Sequence, residues 1–263
     1  MNDIGFLGLG KMGSSILGGI LSKKLYKNEC IGFYAPSEKT QQKGLNFHIN
    51  LAKNECDLMI NSNVIILAIE PQKYDEVLDK VKDIDFSNKV IISLAPGKDI
   101  PYLKSVFKNA HVVRAMPNTP SVIGKGVTTL AFDGEVIDEV INIFSSIGTY
   151  VIVEENEMDK AIPLQGSMPA YIFEFIKAFL DAAREFDIKE EDAKKLALNA
   201  IIGSCELALQ SDKELDELID SVCSRGGSTI AGLEAMRKEG FDEAIKACYK
   251  ACVKRSYELK NIK

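Results

Sequence analysis

Residues 4–16, IGFLGLGKMGSSI, contain four glycines, and three of them have the spacing Gly8-x-Gly10-x-x-Gly13. The apolar run before Gly8 predicts a strand, and the residues after Gly13 predict a helix. In such a turn Gly8 permits the sharp bend, Gly10 lets the backbone approach a pyrophosphate, and Gly13 lets the helix pack closely on the strand. Free N–H groups at the helix start would bind the phosphates. The stretch predicts a Rossmann dinucleotide-binding domain; the alternative is a glycine-rich turn in an unrelated α/β protein.

Beyond this stretch, the first half of the chain alternates short apolar runs with amphipathic segments. Near-continuous apolar runs such as VIILAI (residues 64–69) indicate strands buried on both faces, which is typical of a parallel sheet covered by helices. Strands are predicted at Ile4–Leu9, Cys30–Tyr34, Val64–Ile69, Lys89–Leu94, Ala110–Arg114, Val127–Phe132 and Tyr150–Val153. Helices are predicted at Met12–Leu25, Ser37–Lys43, Gln72–Val81, Ile100–Phe107 and Glu135–Ile147.

After about Glu154 the strand pattern stops and long helical periods follow. Helices are predicted at Pro169–Phe186, Glu190–Gln210, Asp212–Val222, Ile230–Glu239 and Phe241–Leu259. We therefore expect an α/β Rossmann domain over residues 1–154 and an all-helical substrate-binding and dimerisation domain over residues 155–263. Helices that are apolar on several sides need a partner, which predicts a homodimer or a higher homo-oligomer.

The composition argues against several classes of protein. A chain of 263 residues that is 46% apolar can bury a sizeable core, and a net charge of −6 without a long run of either sign argues against nucleic acid as a partner. The N-terminus lacks a targeting pattern and no apolar run is long enough to span a membrane, so we expect a soluble, cytoplasmic protein. The six cysteines have no metal-binding spacing, so we expect reduced, mostly buried thiols and no metal.

The end of the second predicted strand bears on the choice of cofactor. In NAD-dependent proteins with this fold, an acidic residue at this point holds the ribose 2′-hydroxyl. Here the strand leads into APSEK (residues 35–39), with no acid at the expected tip. Ser37 and Lys39 could instead contact a 2′-phosphate, which favours NADP, while Glu38 keeps NAD possible. The alternative is that Ser37 is an ordinary helix N-cap and that Glu38 and Lys39 are solvated.

Four further segments resemble one family. They are AIEP (residues 68–71), RAMPNTP (114–120), GSMPAY (166–171) and SRGGSTIAGL (224–233). Their order and spacing are similar to the A-V-K-P, R-x-M-P-N-T-P, G-S-G-P-A-Y and S-P-G-G-T-T-I-x-G-L segments of pyrroline-5-carboxylate reductases, over essentially the whole chain. The resemblance implies an NAD(P)H-dependent imine reductase that converts a small cyclic imine carboxylate, 1-pyrroline-5-carboxylate, into L-proline.

The resemblance also implies site residues. The Gly226–Thr229 segment would bind the substrate carboxylate through bare backbone N–H groups and hydroxyls, with Thr229 near the imine nitrogen as the catalytic residue. The alternatives are simple helix capping by Ser228 and, for Asp212, a loop or N-cap role. The substrate-binding set is Asp212, Gly226, Gly227, Ser228 and Thr229. Motif and resemblance together give the cofactor-binding set: Leu7, Gly8, Leu9, Gly10, Lys11, Met12, Ser37, Lys39, Ile69, Glu70, Ala95 and Asn118.

Three positions depart from the family pattern: Glu70 replaces a lysine, Met168 a glycine and Arg225 a proline. A carboxylate at residue 70 could repel the cofactor phosphates or accept a hydrogen bond from the nicotinamide amide. Arg225 could strengthen carboxylate binding or shift the substrate. Because of these departures, the size of the imine ring in the substrate stays open. They also leave an alternative to an enzyme, a regulatory protein that binds the cofactor.

Two other enzyme hypotheses are weaker. A β-hydroxyacid dehydrogenase has the same layout, but its K-x-x-N-N segment is missing from the first long helix of the second half. Asp181 and Glu185 stand four residues apart and could share a magnesium ion, as in ketol-acid reductoisomerases, but Arg184 beside them favours a solvated face.

Overall fold

The computed structural model describes residues 1–260. Within this range eight strands form one sheet. The strand bounds are β1 Asn2–Leu7, β2 Ile31–Tyr34, β3 Asn50–Leu51, β4 Ser62–Leu67, β5 Val90–Ser93, β6 His111–Met116, β7 Gly126–Phe132 and β8 Gly148–Ile152. Their order in the sheet is β3-β2-β1-β4-β5-β6-β7-β8. Neighbouring strands are parallel except for β6 and β7, which are antiparallel.

Twelve α-helices accompany these strands among the described residues. In the first half they are α1 Lys11–Ser22, α2 Glu38–Leu45, α3 Glu55–Ile60, α4 Tyr74–Val81, α5 Ile100–Val106, α6 Asp138–Ser145 and α7 Met158–Ala161. In the second half they are α8 Met168–Arg184, α9 Glu190–Gln210, α10 Leu215–Val222, α11 Ser228–Lys238 and α12 Phe241–Lys260. Short 3-10 turns lie at Asn28–Cys30, Pro71–Lys73, Thr119–Ile123 and Glu155–Glu157.

Helices cover both faces of the sheet, as the apolar runs predict. Successive strand residues point to opposite faces, so Ile92 joins a core cluster with α1 and α6, while Ile91 joins the opposite cluster with α3, α4 and α5. Both residues are fully buried. The prediction of a parallel sheet extended by the last two strands is confirmed.

The carboxyl edge of the sheet contains a topological switch point. β1 lies between β2 and β4, so the chain leaves β1 in one direction to reach β2 and β3 and in the other to reach β4 and the later strands. Open parallel sheets bind ligands outside the carboxyl ends of their strands at such a point. The loops after β1, β2, β4, β5 and β6 are therefore the ones placed to contact a cofactor.

The second half is helical, and no strand follows Ile152 within residues 1–260. The chain divides into two compact units, one formed by Met1–Pro169 with the end of the chain from Cys252, and the other by Ala170–Ala251. The predicted boundary at residue 154 remains a prediction; residues 155–169 belong to the unit that contains the sheet. Ser256 Oγ, for example, donates to Asp159 Oδ1 at 2.8 Å within that unit.

The unit of residues 170–251 has almost no core of its own. All of these residues are described, and Ala193 is the only buried one. Large apolar side chains are instead exposed to solvent, including Phe173, Phe186, Leu196, Leu209 and Leu215. Exposed apolar patches of this extent mark interaction surfaces.

Two smaller findings concern the exposure of the cysteines and the length of the apolar helices. All six cysteines are free thiols, but the expectation that they are mostly buried is wrong: five are half-buried and Cys205 is exposed. Within the described part of the chain, no helix combines the length and the apolar character that crossing a membrane requires.

Candidate active site

The glycine turn between β1 and α1 has the geometry that the spacing predicts. Gly8 has φ +92°, and a Cβ built on it would lie 2.6 Å from the carbonyl oxygen of Ala68. A Cβ on Gly13 would lie 2.8 Å from the carbonyl oxygen of Gly8, so a side chain there would push α1 away from β1. A Cβ on Gly10, by contrast, would have no atom within 4 Å. Gly8 and Gly13 are therefore needed for the fold, whereas the space beside Gly10 is left open for something else.

That open space faces the start of α1. Gly10 is the N-cap, and no side chain caps the helix. The backbone N–H groups of the first turn, which begins with Lys11 and Met12, are thus left without a side-chain acceptor. Leu7 and Leu9 are buried and can offer only backbone atoms. An uncapped helix start next to a bare backbone fits a dinucleotide pyrophosphate.

The tip of β2 places Ser37 and Lys39 at the start of α2. Ser37 is the N-cap, as the alternative hypothesis stated: its Oγ accepts from Thr40 N at 3.2 Å and lies 2.9 Å from Thr40 Oγ1. If Thr40 donates in the second contact, the Ser37 hydroxyl proton remains free for a ligand. Lys39 is exposed, and the structure of residues 1–260 shows no partner for its ammonium group. Capping and phosphate binding by Ser37 are therefore compatible.

The ends of β4 and β5 carry Ile69, Glu70 and Ala95. Ile69 is half-buried and Ala95 is 3% exposed. Glu70 is exposed, and its Oε2 lies 3.8 Å from Lys73 Nζ. This exposed ion pair places one positive charge beside the carboxylate that replaces the family's lysine.

Asn118 lies after β6 and is 7% exposed. Both polar atoms of its amide group are hydrogen-bonded: Nδ2 donates to the carbonyl oxygen of Gln165 at 3.0 Å, and Oδ1 accepts from Val127 N at 2.9 Å. The side chain of Gln165 is buried as well and donates to Thr129 Oγ1 at 3.3 Å. Asn118 thus fastens the turn after β6 to β7 and to the residues before α8; its contact with a cofactor stays a prediction.

Two buried polar groups that lie below the carboxyl edge of the sheet were not identified from the sequence. Tyr74 is fully buried, and its hydroxyl lies 3.1 Å from the carbonyl oxygen of Leu67 and 3.0 Å from Ser93 Oγ. Burial raises the pKa of the Tyr74 phenol well above its ordinary value. Arg114 is 1% exposed and forms an ion pair with Glu155. A charged residue inside the apolar strand HVVRAM was the available signal for the second group.

The Gly-Gly-Ser-Thr segment forms the start of α11. Gly226 has φ +70°, and the N–H of Gly227 donates to the carbonyl oxygen of Ser224 at 3.0 Å. The expectation of a bare N–H group is therefore wrong for Gly227. It is Gly227, and not Ser228, that is the N-cap, and no side chain caps the helix. Simple capping by Ser228 is thus excluded, and the N–H groups of the first turn of α11 have no side-chain acceptor.

A cavity of about 420 Å³ adjoins this segment. Arg225, Gly226 and Gly227 line it together with Asp220 and Glu234. Ser228 and Thr229 are exposed at the start of α11 and are not among the residues that line the cavity. The guanidinium group of Arg225 has no partner within the described residues, so it is available to an anion.

The remaining candidate residues lie outside this cluster. Asp212 is exposed and is not an N-cap, because Glu214 caps α10; it does not line the cavity. Asp181 forms ion pairs with Lys177 and Arg184, as expected for a solvated face. Across residues 1–260, no group of three or more His, Cys, Asp and Glu side chains is placed to hold a metal ion.

The sheet, the switch point and the glycine turn define a class: proteins that bind a dinucleotide on a Rossmann domain. Curated relatives narrow this class. The chain is 32% identical to the pyrroline-5-carboxylate reductase of Methanosarcina acetivorans over 97% of each protein, and 30% identical to that of Escherichia coli over 97% of each. The chain belongs to the pyrroline-5-carboxylate reductase family.

Family models and solved structures agree with this assignment. Residues 155–259 match the model "Pyrroline-5-carboxylate reductase dimerisation", and residues 3–97 match "NADP oxidoreductase coenzyme F420-dependent". The fold is similar to the crystal structure of a Plasmodium falciparum pyrroline carboxylate reductase with NADP bound. The TM-score is 0.88 and the identity 30%, covering 99% of this chain and 98% of the other.

Proposed function

We propose that the protein is a pyrroline-5-carboxylate reductase, which reduces the C=N bond of 1-pyrroline-5-carboxylate with NADPH and gives L-proline. In the balanced reaction, the imine, NADPH and one proton yield L-proline and NADP⁺. The observation that carries the proposal is the start of α11. The segment that by resemblance would bind the carboxylate forms a helix start there without a side-chain cap, next to a cavity.

The cofactor is proposed to bind at the carboxyl edge of the sheet. The pyrophosphate would occupy the open space beside Gly10, where the uncapped first turn of α1 offers N–H donors. Ser37 and Lys39 would contact the 2′-phosphate, which favours NADPH over NADH, although NADH remains a possible cofactor. When bound, the reduced nicotinamide supplies the hydride.

The substrate is proposed to bind through its carboxylate at the start of α11. The N–H groups of the first helical turn and the hydroxyl of Ser228 would surround the anion, and Arg225 adds a positive charge beside the cavity. The Thr229 hydroxyl would donate a hydrogen bond to the imine nitrogen, which makes the adjacent carbon a better hydride acceptor and guides the proton to nitrogen. Asp212 is kept only as a proposed pocket residue.

The assembly is proposed to be a homodimer or a larger homo-oligomer. Residues 155–259 match a dimerisation model, and residues 170–251 expose many large apolar side chains around a single buried residue. Burying those side chains against a second copy would give the helical unit the core that it lacks. We place the protein in the cytoplasm, where thiols stay reduced, because all six cysteines are free.

The competing hypothesis is a regulatory protein that binds the cofactor without turnover. Membership of the family argues against a β-hydroxyacid dehydrogenase but does not by itself decide between enzyme and regulator. The departures at Glu70, Met168 and Arg225 make the distinction worth testing.

The test is oxidation of NADPH by the purified protein in the presence of pyrroline-5-carboxylate. Thr229→Val keeps the shape of the side chain and removes the hydroxyl, so kcat should fall at least about tenfold, which corresponds to roughly one lost hydrogen bond to the reacting group. Ser221→Ala is the matched control, because this hydroxyl lies just before the segment and, among the described residues, bonds only to the carbonyl oxygen of Leu218. No turnover with any cyclic imine, together with tight NADPH binding, would refute the enzyme hypothesis.

A further inference from the structure

An ion pair between the buried Arg114 and the partly buried Glu155 lies under the carboxyl edge of the sheet. Arg114, on β6, points into the core cluster that α4 and α5 cover, and its Nη1 donates to Glu155 Oε1 at 2.8 Å. Glu155 belongs to the short turn after β8. The same Oε1 atom accepts the N–H of Ile100, the first residue of α5, at 3.1 Å. One carboxylate oxygen thus joins β6 to the amino end of α5.

The loop that ends at Ile100 comes from the carboxyl end of β5 and carries Ala95. At its beginning, Ala95 N donates to Ser93 Oγ at 3.4 Å, and Ser93 is in turn bonded to the buried Tyr74. At its end, Glu155 holds Ile100. Because β5 lies two strands from β1, on the β4 side of the switch point, the position of this loop sets one wall of the predicted cofactor site.

A second set of contacts ties the same loop to α4. Lys98 Nζ lies 3.4 Å from Asp75 Oδ1 and 4.3 Å above the ring centroid of Tyr102. The Tyr102 hydroxyl also donates to Asp75, and its hydrogen bond holds the pKa of that carboxyl below its usual range. Asp75 is exposed, so water can replace these contacts, whereas the Arg114 end of the Arg114–Glu155 pair is buried. That pair therefore anchors the end of the loop, as the buried Ser93 hydroxyl anchors its beginning.

The pair is a poor device for stability alone. Arg114 is 1% exposed and Glu155 29%, and burying charge to this extent is less favourable than packing an apolar pair of the same size, unless every polar atom is satisfied. Here they are not: Arg114 Nη2 and Glu155 Oε2 are buried and have no hydrogen-bond partner among the described residues. The ion pair does supply a fixed hydrogen-bond acceptor for the N–H group of Ile100, which an apolar pair could not.

We propose that Arg114 and Glu155 are positioning residues for the cofactor. Arg114 orients Glu155, Glu155 holds the start of α5, and the Leu94–Asp99 loop is thereby kept where the nicotinamide half of the cofactor binds. Neither side chain touches substrate or cofactor. The inference rests on the cofactor half of the proposed function and on no step of imine chemistry.

The test separates stability from position with a double variant. Arg114→Met leaves a partly buried carboxylate unpaired, so Tm falls and the Kd for NADPH, measured by fluorescence titration, rises. Arg114→Met with Glu155→Met removes both charges and fills the space, so Tm should return towards the wild-type value. Because the acceptor for Ile100 is still missing, Kd should stay at least about tenfold raised, which corresponds to a displaced contact of hydrogen-bond strength. Recovery of Kd together with Tm would show a purely structural pair and overturn the proposal.

A conservative pair of variants keeps the proposal testable if the double variant does not fold. Glu155→Gln retains an oxygen for both Arg114 and Ile100, so its Kd should stay within about threefold of wild type, whereas that of Glu155→Ala should rise at least about tenfold. Equal effects of the two variants would overturn the proposal. Wild-type protein that binds NADPH but reduces no imine would refute the proposed function and leave this inference intact, because the readout is binding.

Discussion

Replacing Gly8 and Gly10 by alanine, one at a time, separates the two roles of the glycine turn. At Gly8 the new Cβ meets a backbone oxygen 2.6 Å away and the residue must keep φ +92°. Holding an L-residue in this region costs about 1–2 kcal/mol and the overpacking about 1–3 kcal/mol, so the free energy of unfolding should fall by about 2–5 kcal/mol. At Gly10 φ is −64° and the space is open. The free energy of unfolding should therefore change by no more than about 1 kcal/mol.

Cofactor binding should respond differently to the second substitution. A methyl group on Gly10 occupies the space in which the pyrophosphate approaches the start of α1, so one charge-assisted hydrogen bond of about 1.5–3 kcal/mol is lost. The Kd for NADPH should rise about 10- to 100-fold. The assays are urea denaturation of the cofactor-free protein and fluorescence titration with NADPH. Wild-type NADPH affinity in Gly10→Ala, or wild-type stability in Gly8→Ala, would refute the assignment of these roles.

Three further predictions concern the 2′-phosphate, the assembly and alkaline pH. Lys39→Gln should raise KM for NADPH about tenfold and leave KM for NADH unchanged, because only NADPH carries the 2′-phosphate. Steady-state kinetics measure both KM values, and an equal rise in the two would contradict the prediction. Phe173→Glu should convert the oligomer into smaller species in analytical ultracentrifugation, because the exposed ring of Phe173 would face a second copy; unchanged sedimentation would contradict it. Burial raises the pKa of Tyr74 above its ordinary value of 10.0, so this group stabilises the fold below that pH and loses its contribution as the pH rises further. Urea midpoints should fall above pH 10.0, less steeply in Tyr74→Phe.

The sheet was predictable from the sequence because its strands are continuous apolar runs and its main helices are long enough to show a period. The elements that were missed are short: β3 has 2 residues, α3 has 6 and α7 has 4, which is too few for either periodicity to appear. The start of α11 lies at Ser228, two residues before the predicted Ile230, because Gly227 takes the capping position.

The site was predictable where its chemistry is local. The three glycines of the first turn have conformations that follow from their spacing, and the uncapped start of α11 follows from the paired glycines. The contacts that sequence could not predict join distant residues: Arg114 and Glu155 are 41 positions apart, and Asn118 and Gln165 are 47 apart. Only the folded sheet brings them together, and a motif of single residues carries no information about their partners.

The most direct test of the central claim follows the hydride itself. The purified protein is incubated with pyrroline-5-carboxylate and NADPH that carries deuterium on both faces of nicotinamide C4, and the product is analysed by mass spectrometry and NMR. The account predicts L-proline with one deuterium, located on the ring carbon of the former C=N bond. Bound but unconsumed NADPH, or proline without deuterium, would contradict it.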